Sequence, residues 1–287
     1  MPTTFTNILV ATDLSARSDR AVARACRIAR EQGARLHLLH VVDDALPADM
    51  AEAQMVAAER TLERVAASLP EAAGLEIARQ VVAGDPWSVI VDTAETLPAD
   101  LLVLGTARPD RMAGLFRGTT LDRVARSARC PVLRVAAPVT GAYRAPVVGV
   151  DFSDCARLAA RLASRLVPKA PLTLVHVYHV PFAALTGLSG GRGAPKWEKD
   201  RVEADLSRRL NDLAKTAVMP GQASATILVE GSPEIVLPRQ MEALGADLLC
   251  LGTHARSWLS EALLGSTAQA MLSDCPCDLL LAPLPVD

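Results

Sequence analysis

The chain has 287 residues, half of them hydrophobic, with a formal net charge of -2 and only 3% aromatic residues. That length suits two domains with a core each; the near-neutral charge argues against a general nucleic-acid or acidic-membrane binder, and the shortage of aromatics leaves few platforms for stacking single-stranded bases. No apolar run approaches the ~20 residues needed to span a bilayer, and Met1 to Thr6 lacks a basic region leading into an apolar stretch, so neither a membrane span nor a signal peptide is expected.

In chain order, Ile8 to Thr12 is a short apolar run ending at Asp13, the pattern of a buried parallel strand. Asp13 or Ser15 can cap the helix that follows, in which Ala21, Ala25, Ile28 and Ala29 recur at helical spacing before Gly33 ends it. Leu36 to Val42 reads as a second strand, Ala48 to Ser68 as a long Ala- and Glu-rich helix, and Leu75 to Val82 as a third strand. Gly84-Asp85-Pro86 is a turn that puts proline at a helix start, where its missing N–H costs nothing, and Trp87 to Thr96 is the helix. Leu101 to Leu104 is a fourth strand. After a loop come a helix from about Thr119 to Ser127 and a fifth strand, Val132 to Val135.

The second half repeats this order. Gly84 to Cys130 returns as Gly231 to Cys277 at a constant offset of 147 residues: Ala99-Asp100-Leu101-Leu102-Val103-Leu104-Gly105-Thr106 becomes Ala246-Asp247-Leu248-Leu249-Cys250-Leu251-Gly252-Thr253, and Gly118-Thr119-Thr120 becomes Gly265-Ser266-Thr267. Val147 to Val150, Leu172 to Val177, Ser224 to Val229, Leu248 to Leu251 and Asp278 to Leu281 are its strands. A repeat this long is domain-sized rather than a solenoid unit. The expected domains are residues 1–138 and 145–287, joined by a short linker, Ala136 to Ala145, that favours packed halves over loosely tethered ones. The second half has a longer, Gly-rich link, Gly187 to Gly193, before its second helix. That link reads as disordered or as a mobile lid.

Strands alternating with helices imply α/β domains, each an open, doubly wound five-stranded parallel sheet of Rossmann-like type. Such sheets bind ligands beyond the carboxyl ends of the strands, where strand order reverses. The first and fourth strands are the expected neighbours there. Their ends carry Asp13 and Gly105 in one half, Asp151 and Gly252 in the other.

Six cysteines with no metal-type spacing suggest a reducing compartment, hence the cytoplasm. Cys26, Cys130, Cys155 and Cys250 fall in apolar stretches of expected helices and strands and read as core residues, and Cys275-Pro276-Cys277 has no second pair to complete a zinc site, so no metal is expected. Catalytic signatures are missing too: there is no Gly-x-Ser-x-Gly elbow, no Walker-type phosphate loop, and no glycine in the turns after the first strands. A redox or hydrolytic enzyme is not expected, and any ATP hydrolysis would be slow and incidental.

Three duplicated pieces carry a resemblance: Asp13-Leu14-Ser15 with Asp151-Phe152-Ser153, His40-Val41 with His176-Val177, and Leu-Gly-Thr followed thirteen residues on by Gly-Thr or Gly-Ser. In order and spacing, over nearly the whole chain, they resemble the universal stress protein family in its tandem form. Nucleotide-binding members of that family share the pattern Gly-x-x-Gly-x(9)-Gly-Ser/Thr, in which glycine admits the backbone to phosphate and a helix N-terminus supplies N–H groups. The first half matches at Gly105, Gly118, Thr119 and Thr120 but has Arg108 at the second glycine; the second half matches at Gly252, Gly265, Ser266 and Thr267 but has Ala255 there. Arg108, helped by Arg111 or Arg117, could pair with phosphate; Ala255 offers no charge, so the second half looks like the branch that does not hold ATP.

The resemblance implies that Asp13 and Asp151 face the ribose or adenine end of a nucleotide and that Val41 and Val177 line the base. Helix capping for the aspartates and core packing for the valines are the competing readings. His40 and His176 read as hydrogen-bonded structural residues, and Thr106 and Thr253 as turn hydroxyls. The expected function is a non-catalytic stress-response regulatory or protective protein that binds ATP, ADP, AMP or a similar small ligand and signals through an unidentified protein partner. The alternative is an interaction or scaffold module whose nucleotide sites have decayed. The family's fifth strands meet at a sheet edge, so Val132 to Val135 and Asp278 to Leu281 are expected to pair within the chain as a pseudo-dimer. A true homodimer is also compatible.

Overall fold

The computed structural model describes residues 4–45, 47–106, 119–179, 196–253 and 264–284. The first half contains β1 (Asn7–Ala11), α1 (Ala16–Gln32), β2 (Arg35–Val42), α2 (Ala48–Ser68), β3 (Ile77–Ala83), α3 (Pro86–Thr96), β4 (Leu101–Gly105), α4 (Thr120–Ser127) and β5 (Val132–Val135). The second contains β6 (Pro146–Gly149), α5 (Asp154–Leu166), β7 (Leu172–Tyr178), α6 (Lys196–Ala217), β8 (Ser224–Glu230), α7 (Pro233–Ala243), β9 (Leu248–Gly252), α8 (Ser266–Ser273) and β10 (Asp278–Ala282). The expected elements are all present, with ends shifted by a residue or two. The third strand starts at Ile77 rather than Leu75 because a short 3-10 turn, Pro70–Ala72, precedes it. Cys130 lies in the bend before β5 and not in a helix or strand, contrary to the sequence expectation.

The ten strands form one sheet in the order β3-β2-β1-β4-β5-β10-β9-β6-β7-β8. Every pairing within a half is parallel, and the order reverses between β1 and β4 and between β6 and β9. The halves join where β5 and β10 run antiparallel, with Leu133 opposite Leu280, so the edges of the fifth strands cover one another as expected.

Helices cover both faces. Successive strand residues point to opposite sides. Ile8, Val10, Leu101, Val103 and Leu280 therefore enter a core with α1, α2, α5 and α6, through Val22, Leu62, Leu162 and Leu210. Leu9, Leu102, Leu104, Leu279 and Leu281 enter a second core with α3, α4, α7 and α8, through Ile90, Val124, Leu237 and Met271. Strands buried on both faces explain the unbroken apolar runs in the sequence.

Two repeated aspartates serve the frame. Asp100 accepts hydrogen bonds from the backbone N–H of Thr6 (2.8 Å) and of Asn7 (3.3 Å), clipping the start of β1. Asp247 accepts from Arg144 N–H (2.6 Å) and Ala145 N–H (3.1 Å), clipping the start of β6. The linker is tied down by a buried charge. Asp278 is wholly buried and accepts from Ala136 N–H, Ala137 N–H and Tyr143 Oη, the last at 2.6 Å. Arg24 brings its Nε to 3.3 Å from Asp278 and its guanidinium to 4.0 Å from the centre of the Tyr143 ring. Burial first, and the Asp278 charge second, push the Tyr143 phenol well above its ordinary range, so it stays a donor to the carboxylate.

Among the described residues no helix is long and apolar enough to cross a membrane, and no group of three or more His, Cys, Asp and Glu side chains is arranged to hold a metal. The six cysteines are free thiols.

Candidate functional site

The carboxyl ends of β1 and β6 carry the same turn. Asp13 Oδ1 accepts from the Ser15 N–H (3.0 Å) and from Ser18 Oγ (2.7 Å); Asp151 Oδ1 accepts from the Ser153 N–H (2.9 Å) and Ser153 Oγ (2.5 Å). An aspartate that binds the backbone two residues on makes a local turn. The residue between is forced into the left-handed region, Leu14 at φ 59° and Phe152 at φ 64°. For a side chain with a Cβ that conformation costs roughly 1–2 kcal/mol. Both halves bear it, and in both the turn ends the strand at the order reversal and starts the next helix. Ser153 caps α5, its Oγ accepting from the Ala156 N–H at 3.1 Å.

His40 and His176 each bring Nδ1 to the carbonyl that precedes the aspartate, Thr12 O at 2.8 Å and Val150 O at 2.6 Å. A carbonyl only accepts, so the proton is on Nδ1 and the ring ties the second strand of each half to the turn. This is the structural role expected from sequence. Val41 and Val177 are half-buried and pack against the core under α3, α4, α7 and α8.

Gly105 and Gly252 end β4 and β9 beside those turns, and the first helix of each half fills the space a side chain would take. A Cβ on Gly105 would sit 3.2 Å from Ser18 Cα; one on Gly252 would sit 2.6 Å from Cys155 Cβ and 2.8 Å from the Cys155 carbonyl carbon. Helix packing alone thus demands glycine at Gly252 and favours it at Gly105, whatever binds nearby. Thr106 follows β4, half-buried. Thr253 is buried and its carbonyl accepts from the Gly265 N–H at 2.7 Å, which brings the end of β9 against the start of α8. Arg108, Arg111, Arg117 and Gly118 lie outside the described residues, as do His254, Ala255 and the segment Gly187 to Gly193.

In the second half these pieces enclose a cleft with about 600 Å³ of empty space, part of it open to solvent. Its apolar wall includes Val150, Val175, Val177, Leu237 and Leu251; Asp151, Gly252, Gly265, Ser266 and Thr267 form the polar side. The enclosed part that a water-sized sphere can enter is about 110 Å³, below the roughly 300–1,000 Å³ usual for small-molecule sites, so a ligand would reach out through the open side. At four matched positions the lining is smaller than in the first half: Gly149 for Ala11, Ala156 for Ser18, Val175 for Leu39 and Ala268 for Leu121.

Three of the hydroxyls singled out as phosphate donors, those of Thr119, Ser266 and Thr267, already have internal acceptors. Thr119, the N-cap of α4, donates from both N–H and Oγ1 to Asp122 Oδ2 at 2.8 Å, and its Oγ1 accepts from the Asp122 N–H at 3.2 Å, a capping box. Thr120 opens the helix behind it. In the second half Ser266 Oγ donates to Glu234 Oε1 at 2.9 Å, and Thr267 Oγ1 lies 3.4 Å from the same oxygen. Neither Asp122 nor Glu234 stood out in the sequence. The available signal was an acid in the first turn of each helix, α4 and α7.

Comparison with known proteins agrees with this geometry. The sequence model of the Universal stress protein family matches residues 4–136 and again 142–283. A universal stress protein of Methanocaldococcus jannaschii is 32% identical over 143 residues, covering 47% of this chain and 84% of the relative. Universal stress protein E of Photorhabdus laumondii is 26% identical, covering 96% of this chain and 94% of the relative. The crystal structure of a universal stress protein from Archaeoglobus fulgidus superposes with a TM-score of 0.71 at 20% identity, covering 98% of each chain, which establishes the shared fold. With the family's sequence pattern present twice and its fold spanning both copies, the chain belongs to the universal stress protein family in tandem form.

Proposed function

We propose that this chain is a non-catalytic stress-response protein that binds an adenine nucleotide or similar small ligand in the cleft of its second half and passes the bound state to a protein partner. The observation that carries this reading is the coincidence of cleft and motif: Asp151, Gly252, Gly265, Ser266 and Thr267 all line the one cavity at the reversal between β6 and β9. Regulation or protection, rather than turnover, fits a cleft that pairs an apolar wall with hydroxyls and one carboxylate, Asp151, and has no nucleophile–base pair among its described lining residues.

A specific observation favours a second reading, a protein-interaction module with decayed nucleotide sites: the hydroxyls of Thr119 and Ser266 are committed to internal carboxylates. The deciding experiment is extraction of small molecules from freshly purified protein, followed by calorimetric titration with ATP, ADP, AMP and adenosine. A co-purified adenine compound, or a saturable heat with any of the four, supports ligand binding. An empty protein that gives no heat with any of them leaves the scaffold reading.

A further inference from the structure

Beside the second-half cleft, bonded to its lining residue Ser266, stands a carboxylate of the chain's own, Glu234. Two helix N-termini converge on the Glu234 carboxylate: α7, which begins after Ser232, and α8, which begins after Gly265. Ser232 Oγ donates to Glu234 Oε2 at 2.5 Å while Ser266 Oγ donates to Oε1 at 2.9 Å. The bond from Ser232, then Glu234's own N–H, then Ser266 hold this carboxyl below the ordinary glutamate range. Helix N-termini and their hydroxyls are the groups that would take a phosphate. Here they already serve a negative charge, and Ser266 and Thr267 are lining residues of the cleft.

Among the described residues the first half is built differently: Thr119, the match of Ser266, gives its hydroxyl to Asp122 within α4 itself. The position matching Glu234 in the first half is Trp87, whose ring lies 4.2 Å from the Arg123 guanidinium, and Arg123 in turn pairs with Asp85 at 3.5 Å. The cleft's own lining includes one carboxylate, Asp151. A phosphate brought to Ser266 would meet Glu234 at hydrogen-bonding range and compete for the same donors. Like charges sharing one site disfavour each other's ionised forms.

We propose that Glu234, beside this cleft, is the resident anion of the start of α8 and a specificity determinant of the site, keeping phosphate from Ser266 and Thr267 and leaving the apolar interior to an uncharged nucleoside whose hydroxyls donate to Asp151. This rests on the reading of the cleft as a ligand site and narrows its substrate class. Glu234 does in the second half what a ligand phosphate would otherwise do: it satisfies the hydroxyls at the start of α8 and balances the two helix dipoles.

The test titrates wild type, Glu234→Ala and Glu234→Gln with inorganic phosphate, AMP and adenosine, following the backbone amide signals of Ser266 and Thr267 by NMR alongside calorimetry. In the wild type those amides should ignore phosphate, and adenosine should bind more tightly than AMP by about tenfold or more. In Glu234→Ala the amides should respond to phosphate and the gap between AMP and adenosine should close; Glu234→Gln, which keeps an acceptor oxygen but drops the charge, should fall between and report on folding. Wild-type amides that shift with phosphate as strongly as those of Glu234→Ala would overturn the proposal, as would a Glu234→Ala protein that stays silent to phosphate. A wild type silent to adenosine, with a Glu234→Ala variant that takes phosphate, would remove the nucleoside reading of the cleft while upholding Glu234 as the anion beside it.

Discussion

Asp122 and Gln269 occupy equivalent positions in the two halves, and they meet: Gln269 Nε2 donates to Asp122 Oδ1 at 3.3 Å. Arg126 completes the contact by donating to Gln269 Oε1. Asp122 thus has two tasks, capping α4 through Thr119 with one oxygen and reaching across to α8 with the other. The start of the first-half loop helix is thereby coupled to the second half.

Because the contact is part-buried and made of ordinary hydrogen bonds, Gln269→Ala should lower stability by about 1 kcal/mol. Asp122→Ala should cost more, since it also removes the cap of α4, itself worth about 0.5–2 kcal/mol. Urea unfolding of both single variants and the double variant would check this. Additive losses would show that the two residues are not coupled.

The buried charge under the linker should be the most sensitive polar position. Asp278→Asn removes the counter-charge of Arg24 and one strong acceptor, and should destabilise by about 3–5 kcal/mol. Tyr143→Phe removes one donor and should cost about 1–3 kcal/mol. Equilibrium unfolding, with tryptophan fluorescence and circular dichroism as parallel probes, would measure both.

The two repeated glycines should respond unequally to the same change. At Gly252 a methyl group would press on the Cys155 backbone at 2.8 Å, whereas at Gly105 its nearest contact is 3.2 Å away. Gly252→Ala should therefore lose about 1–3 kcal/mol through overpacking, and Gly105→Ala clearly less. Thermal melts of the two variants decide it; equal losses would mean that α5 moves aside as readily as α1.

Glu234 should leave a mark on acid stability. Its carboxyl titrates lower in the folded chain than its ordinary value of 4.5, so it stabilises the fold when ionised above that pH. The contribution is lost as pH falls through the depressed folded value. Wild type should accordingly exceed Glu234→Gln in melting temperature at pH 7 by more than it does at pH 3. A difference that does not vary with pH would mean that the hydrogen bonds to Ser232 and Ser266 add nothing for the charged form.

Thiol chemistry should follow burial rather than count. Burial pushes Cys26 up to about 11 and Cys130 up to about 12, leaving little thiolate at either near neutrality. Iodoacetamide at pH 8 should label both slowly in the native protein and fast in denaturant, as read by peptide mass spectrometry. Rapid native labelling of Cys130 would show that its bend opens.

The meeting of the fifth strands was implied by the family resemblance; local pattern was enough to read the duplication, the order of strands and helices, and the reversal between β1 and β4. Each follows from chain-local rules: apolar runs that must be buried on both faces, glycine and proline at turns, and right-handed crossovers. The sequence also marked Asp13, His40, Gly105 and their partners as a set, because two copies retain them. It could not separate frame from site within that set. Asp100 and Asp247 recur because they clip β1 and β6, and Gly105 and Gly252 because a helix lies against them.

What only the tertiary structure decided is where the charges stand. Glu234 lies 32 residues before Ser266, Asp122 lies 147 before Gln269, and Asp278 lies 135 beyond Tyr143. The 147-residue repeat makes Asp122 and Gln269 equivalent without making them neighbours, and no spacing rule joins the other two pairs; the contacts depend on the sheet setting α7 beside α8 and β5 beside β10. At Asp278 and Tyr143, which are buried, the cost of leaving a polar group unpaired then holds each partner in its place.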